Sequence, residues 1–220
     1  DHGPGTYAYP LDGVFGPGTY DIIEFATAED DNNLIFRFTF GGPLNNDWGA
    51  PNGMGIHTLD VYIDAAAGGA RKLLPGRYAS VPEGQEWDFA VWAEGWTPGL
   101  FGPPAGDAPE PAPIGDASAL NIVSDPGQNR ITIRVPKKVF AESLGVEVAD
   151  LDPASWEYLA VVMSQEGYPS SGVWRIRDVE VTPQQWRLGG APAGAANHTR
   201  IIDVAYPVGF STTQEDALSN

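Results

Sequence analysis

Apolar side chains in this chain recur at every second position, in short runs cut off by turn-forming residues. That period places alternate residues on opposite faces of a strand and cannot make the apolar stripe of a helix. In Asn33 to Phe40, Leu34, Phe36, Phe38 and Phe40 share one face and Ile35, Arg37 and Thr39 the other. The preceding Asp30-Asp31-Asn32-Asn33 has the short polar side chains that bond their own backbone in turns. With Tyr20 to Thr27 on its other side, the turn predicts a hairpin. The same alternation predicts strands around Leu59, Val61 and Ile63, around Trp87, Phe89, Val91 and Ala93, and around Ile131, Ile133 and Val135. Trp156 to Ser164 is a continuous apolar run, expected of a strand buried on both faces, and Arg200 to Ala205 closes the set.

The chain carries 27 glycines and 20 prolines in 220 residues, a density that favours short strands joined by many turns. One helix is expected, Pro136 to Gly145, with Pro at its first turn, Gly at its end, and Val139, Phe140 and Leu144 on one face. The Pro-rich stretch Thr97 to Pro113 cannot pair inside a sheet and reads as a long surface loop. These features predict an all-β fold: one antiparallel β-sandwich of jelly-roll type with one short helix, spanning residues 1–220 as one domain.

Charge and composition narrow the function. Twelve Lys and Arg against 29 Asp and Glu give a net charge of −17, so the chain cannot neutralise nucleic-acid phosphates over a wide patch. The absence of cysteine removes disulfides, thiolate chemistry and cysteine-held metal sites. No apolar run approaches the roughly 18 residues of a transmembrane segment. His2, His57 and His198 stand in no metal-binding or catalytic spacing, and neither a nucleophile elbow nor a phosphate-binding loop occurs. No enzymatic activity is expected.

Tryptophans are the strongest binding signal. Trp92 lies on the face opposite Phe89 and Val91, while alternation turns Trp87 inward with them. An outward indole gives a flat apolar platform for the C–H face of a sugar ring, with carboxylates and amides taking the hydroxyls. Trp92, Trp96 and Trp48 are the candidate sugar contacts. Among the acids, Asp21, Asp60, Asp64 and Asp203 fall in or beside strands, where an unpaired carboxylate is expensive. With few basic residues nearby in sequence, a calcium ion is the expected partner.

The order of motifs resembles the glucodextranase C-terminal module family, within the wider carbohydrate-binding family 9-like and DOMON-like β-sandwiches. The resemblance rests on Asp1-His-Gly-Pro-Gly-Thr-Tyr-Ala-Tyr-Pro10, Val14-Phe15, Gly18 and Tyr20-Asp21 at the start. It continues through Pro51-Asn-Gly53, Leu59-Asp-Val-Tyr-Ile-Asp64, Leu74-Pro-Gly76, Trp87 and Gly95-Trp96 to Trp186-Arg-Leu-Gly-Gly190, Ile202-Asp203 and Gln214. It implies a secreted or cell-surface, non-catalytic module that binds polysaccharide or cell-envelope glycan. It also implies a structural calcium ion, at the positions matching the family's acidic motifs, Asp1, Asp21, Asp64 and Asp203. The chain departs from the family pattern at its opening, where only the last acid of Gly-Asp-Asp is present. Two rival expectations stand beside this one. The first is a self-associating surface-layer or filament subunit. The second, from the DOMON side, is a non-covalent haem domain, which would need ligands such as Met54, Met163 or His57 in one pocket.

Overall fold

The computed structural model describes residues 7–106, 108–167, 174–195 and 197–206. In chain order the strands are β1 (Ile22–Glu29), β2 (Asn33–Phe40), β3 (His57–Asp64), β4 (Phe89–Ala93), β5 (Gly99–Pro104) and β6 (Pro111–Pro113). They continue as β7 (Asn121–Asp125), β8 (Arg130–Pro136), β9 (Glu157–Ser164), β10 (Val179–Glu180), β11 (Leu188–Gly189) and β12 (Ile201–Ala205). One α-helix, α1 (Lys137–Leu144), follows β8 and ends at Gly145, whose φ of 70° gives the left-handed cap that glycine takes without strain.

Two antiparallel sheets face each other, one ordered β1-β2-β8-β7 and the other β12-β9-β3-β4-β5-β6. The hairpin of β1 and β2 closes on Asp30, whose carboxylate accepts the backbone N–H groups of Asn32 and Asn33 at 2.9 and 2.7 Å. Between the sheets lie Leu34, Phe36, Phe38 and Phe40 of β2, Leu59, Val61 and Ile63 of β3, Phe89 and Val91 of β4, and Ile131, Ile133 and Val135 of β8. Each strand therefore gives its alternate residues to one core, as the period of two requires.

The six-stranded sheet is buried on its other face as well. Tyr62, Ala90, Trp92, Leu159, Val161 and Met163 point there into a second core, covered by Leu73, Leu74, Ala79, Val81 and Trp87. Trp87 corrects the sequence expectation: it precedes β4, bridges to Ala70, and joins Trp92 instead of Phe89. Its backbone N–H and carbonyl both bond Ala70, so the chain does not keep the period of β4 as far back as Trp87.

The cover is fixed by an ion pair with both side chains at 0% exposure. The Arg77 Nε and Nη2 donate to the two Asp60 oxygens at 2.7 and 2.8 Å, and the Tyr62 hydroxyl donates to the same carboxylate at 2.7 Å. Asp60 thus finds its counter-charge seventeen residues away in the covering segment.

The Pro-rich stretch is a second correction. Gly99 to Phe101 pairs with β4, and β6 pairs with β5 at the open edge of the sheet. Prolines are tolerated because β6 is the edge strand and Pro103 and Pro104 of β5 lie beyond its last pairing with β4, so each needs only one side of its backbone for pairing.

Candidate functional site

Trp48 sits at the tip of a loop closed by its own sequence. The Asn46 side chain accepts from Ala50 N at 2.7 Å and donates to Ala50 O at 3.1 Å, while Gly49 turns the backbone with φ of 66°. The Asn45 amide donates to the Val14 carbonyl and docks the loop on the core. Held in this way, the Trp48 indole remains 40% exposed.

Beside it stands Trp186, 39% exposed, with ring centroids 6.1 Å apart and planes inclined at 67°. The Trp186 ring also packs edge-on against the buried Phe15 at 5.9 Å. Its backbone is pinned by Arg177, whose Nη1 donates to the Trp186 carbonyl at 2.6 Å. Arg177 in turn donates to Ser164 Oγ at 3.1 Å and to the Gln165 carbonyl at 2.7 Å, and lies over the Phe15 ring at 5.1 Å. Ser164 Oγ and the Tyr20 hydroxyl are 2.7 Å apart, so a chain of polar contacts runs from the core to the exposed indole.

The two indoles border a cleft of about 400 Å³. Glu166, Arg177, Gln184, Gln185 and Arg187 supply its polar groups, with Glu166 paired to both arginines. Burial lowers the proton affinity of Arg177, and the Glu166 carboxylate opposes that shift. Two apolar aromatic faces meeting at an angle, next to donors and acceptors of both charges, are the surfaces that a sugar ring presents in complement: C–H faces and a rim of hydroxyls.

The other expected sugar contacts lie elsewhere. Trp92 is 9% exposed, packed against Trp174 at 5.3 Å and Phe101 at 6.4 Å with the Arg77 guanidinium over its ring at 5.8 Å. It faces outward from the sandwich as alternation requires, but the second core covers it. Trp96 is half-buried in the turn after β4 and does not line the cleft. No spacing in the sequence marks Trp186, Glu166, Arg177 and Arg187 as contacts. The one signal was an indole within Gln184-Gln-Trp-Arg187, a polar setting unlike that of a core tryptophan.

Of the acids expected at calcium, the three described ones, Asp21, Asp64 and Asp203, are not gathered in one place. Asp1 lies outside the described residues. Asp203, 1% exposed, accepts from Ile22 N at 2.7 Å and Val204 N at 2.8 Å, and so ties β12 to β1. Asp21 lies toward the same end of the sandwich, where it and Asp203 both act electrostatically on Tyr9. Asp64 is at the far end of β3, five residues beyond Leu59, which Val162 aligns with Asp203 across the sheet. That is about 16 Å along the strand. Burial, then the carboxylates of Asp88, Glu157 and Glu86, raises the Asp64 pKa above the ordinary range. Among the described residues, no group of three or more His, Asp or Glu side chains is arranged to hold a metal ion. Asp21, Asp64 and Asp203 thus do not meet at one shared calcium site.

The haem candidates are dispersed too. Met54 belongs to the core between the sheets and Met163 to the covered face beyond them. The His57 Nε2 is 2.8 Å from the Thr19 carbonyl, and its ring packs on Tyr20 and Phe40. Among the described residues, no helix is long and apolar enough to cross a membrane.

No curated protein matches the chain. A family of binding modules does, over residues 1–220, and its description reads "C-terminal binding-module, SLH-like, of glucodextranase". The chain belongs to this family of glucodextranase C-terminal binding modules.

Proposed function

We propose that this chain is a non-catalytic module that binds polysaccharide or cell-envelope glycan outside the cell, through the cleft between Trp48 and Trp186. The observation that carries the reading is the pair of indoles, each two-fifths exposed and 6.1 Å apart, one held by Arg177 and the other by the Asn45 and Asn46 contacts of its loop. An exposed tryptophan gives up the free energy of burial, and a polar network that fixes two of them at the surface favours a ligand over packing. Family membership supports binding over catalysis, and its link to glucodextranase makes α-glucans the first probes.

The test is retention on a panel of α-glucans and isolated envelope polysaccharide, with the Trp48→Ala/Trp186→Ala double variant beside the unaltered protein. Loss of the two stacking faces is expected to weaken binding at least about tenfold, which corresponds to about 1.4 kcal/mol. Equal retention of both proteins would overturn the assignment of the cleft. A chelator arm tests calcium separately: if an ion is structural, its removal lowers the unfolding midpoint, and no change argues against it. Failure to retain any glycan would shift weight to self-association, which native mass over a concentration series then decides.

A further inference from the structure

A second depression of about 420 Å³ lies over the covered face of the six-stranded sheet, between the Leu73–Gly76 turn and the proline edge of β5 and β6. Three side chains converge on it. Tyr78 is 37% exposed with φ of 51°, a left-handed backbone that strains a bulky residue. Arg200 lies over the Tyr78 ring at 5.0 Å and is paired with Asp178. Trp174 forms the floor, its ring half-covered against Trp92 and Phe101.

Two residues earlier, Gly76 takes φ of 82°. A Cβ there would meet Arg200 Nη1 at 3.5 Å and Trp174 Cβ at 3.8 Å, so the turn runs directly beneath both. This turn uses glycine at one left-handed position and a large aromatic at the next. Core packing does not account for the second choice, because Tyr78 remains 37% exposed and belongs to neither buried core. Strain kept at an exposed aromatic beside a hollow points to a ligand-contacting role for the ring.

We propose that this hollow is a second saccharide site, taking a neutral sugar. Lys72 and Arg200 are matched by Glu110 and Asp178, so the rim offers donors and acceptors without excess charge, around Tyr78, Trp174 and the prolines. The proposal rests on the glycan-binding reading for its ligand class but on separate residues. Trp174 and Ile176 turn toward the covered core, whereas Arg177 turns toward Phe15 and the first cleft. The two hollows share no lining residue and flank one short segment, Trp174 on one and Arg177 on the other. Such a module holds two glycan chains at once, which strengthens attachment to an insoluble polymer far beyond that to a short oligosaccharide.

The test is calorimetric and NMR titration of the full chain with isomaltotetraose, an α-1,6-linked glucose tetramer. Three proteins are compared: unaltered, Trp48→Ala/Trp186→Ala, and Tyr78→Asn, the last chosen because asparagine tolerates left-handed backbone. The unaltered protein is expected to bind two equivalents, and each variant one, with the Tyr78→Asn unfolding midpoint not lowered. One equivalent that is lost in the double tryptophan variant and kept in Tyr78→Asn overturns the second site and leaves the first. One equivalent with the reverse pattern supports the second and overturns the first. No saturable binding by the unaltered protein overturns both.

Discussion

Two tryptophan pairs in this molecule have nearly the same local chemistry and opposite fates. Trp92 and Trp174 lie 5.3 Å apart with a guanidinium over both rings, and Trp48 and Trp186 lie 6.1 Å apart beside two more arginines. The first pair helps fill a core, and the second stays two-fifths exposed. What separates them is the segment from Ala70 to Trp87, which folds over one pair and is nailed down by Arg77 to Asp60, while nothing described covers the other. Neither aromatic content nor side-chain direction distinguishes a platform from a core residue. The covering segment does.

The largest effects should come from removing the nail. Asp60→Ala leaves the Arg77 charge buried without its partner, and urea denaturation should show a loss of about 3–5 kcal/mol. The joint replacement Asp60→Leu/Arg77→Met should cost clearly less, because it removes both charges together. A double replacement as damaging as the single one would mean that the cover is held by something other than the pair.

Truncating the buried indole comes next. Trp92→Ala should lower stability by about 3–5 kcal/mol through the cavity it leaves. Trp48→Ala should cost clearly less, because two-fifths of the residue is already exposed and no core closes over it. Thermal or chemical unfolding of the two variants breaks the comparison if their losses are similar.

A third prediction concerns acid. Burial, partly opposed by the Thr19 carbonyl, holds His57 at about 4, below its ordinary 6.5. The folded state then stays unprotonated where the unfolded state takes up a proton. Stability is therefore full above pH 6.5 and falls as pH drops toward 4, by about 3 kcal/mol over that window. Unfolding free energies measured across it should show this slope, and His57→Gln should flatten it. An unchanged slope in the variant would assign the acid response to other groups.

Much of the fold was legible because period-two alternation is a local property. The hairpin of β1 and β2, strands β3, β8, β9 and β12, and α1 all fall where their residues predict. Pairing of β5 and β6 was hidden by proline, whose missing N–H excludes a central strand and is harmless at an edge. Of the candidate site, only Trp48 was readable, from its setting among Asn, Asp and Gly. Trp186 meets it across 138 positions, and Arg177 reaches its carbonyl through contacts that no spacing encodes. Trp92 misled for a related reason: the Ala70 to Trp87 segment that covers it lies close in sequence, but its Leu, Ala and Val residues carry no period that marks them as a cover.

The most direct measurement is to follow the tryptophan indole N–H signals by NMR while titrating a glycan that the protein retains, with assignments from Trp→Phe variants. The account predicts that the Trp48 and Trp186 signals move together with saturation while those of the buried Trp87 and Trp92 stay fixed. Saturable binding that leaves Trp48 and Trp186 unmoved would contradict it.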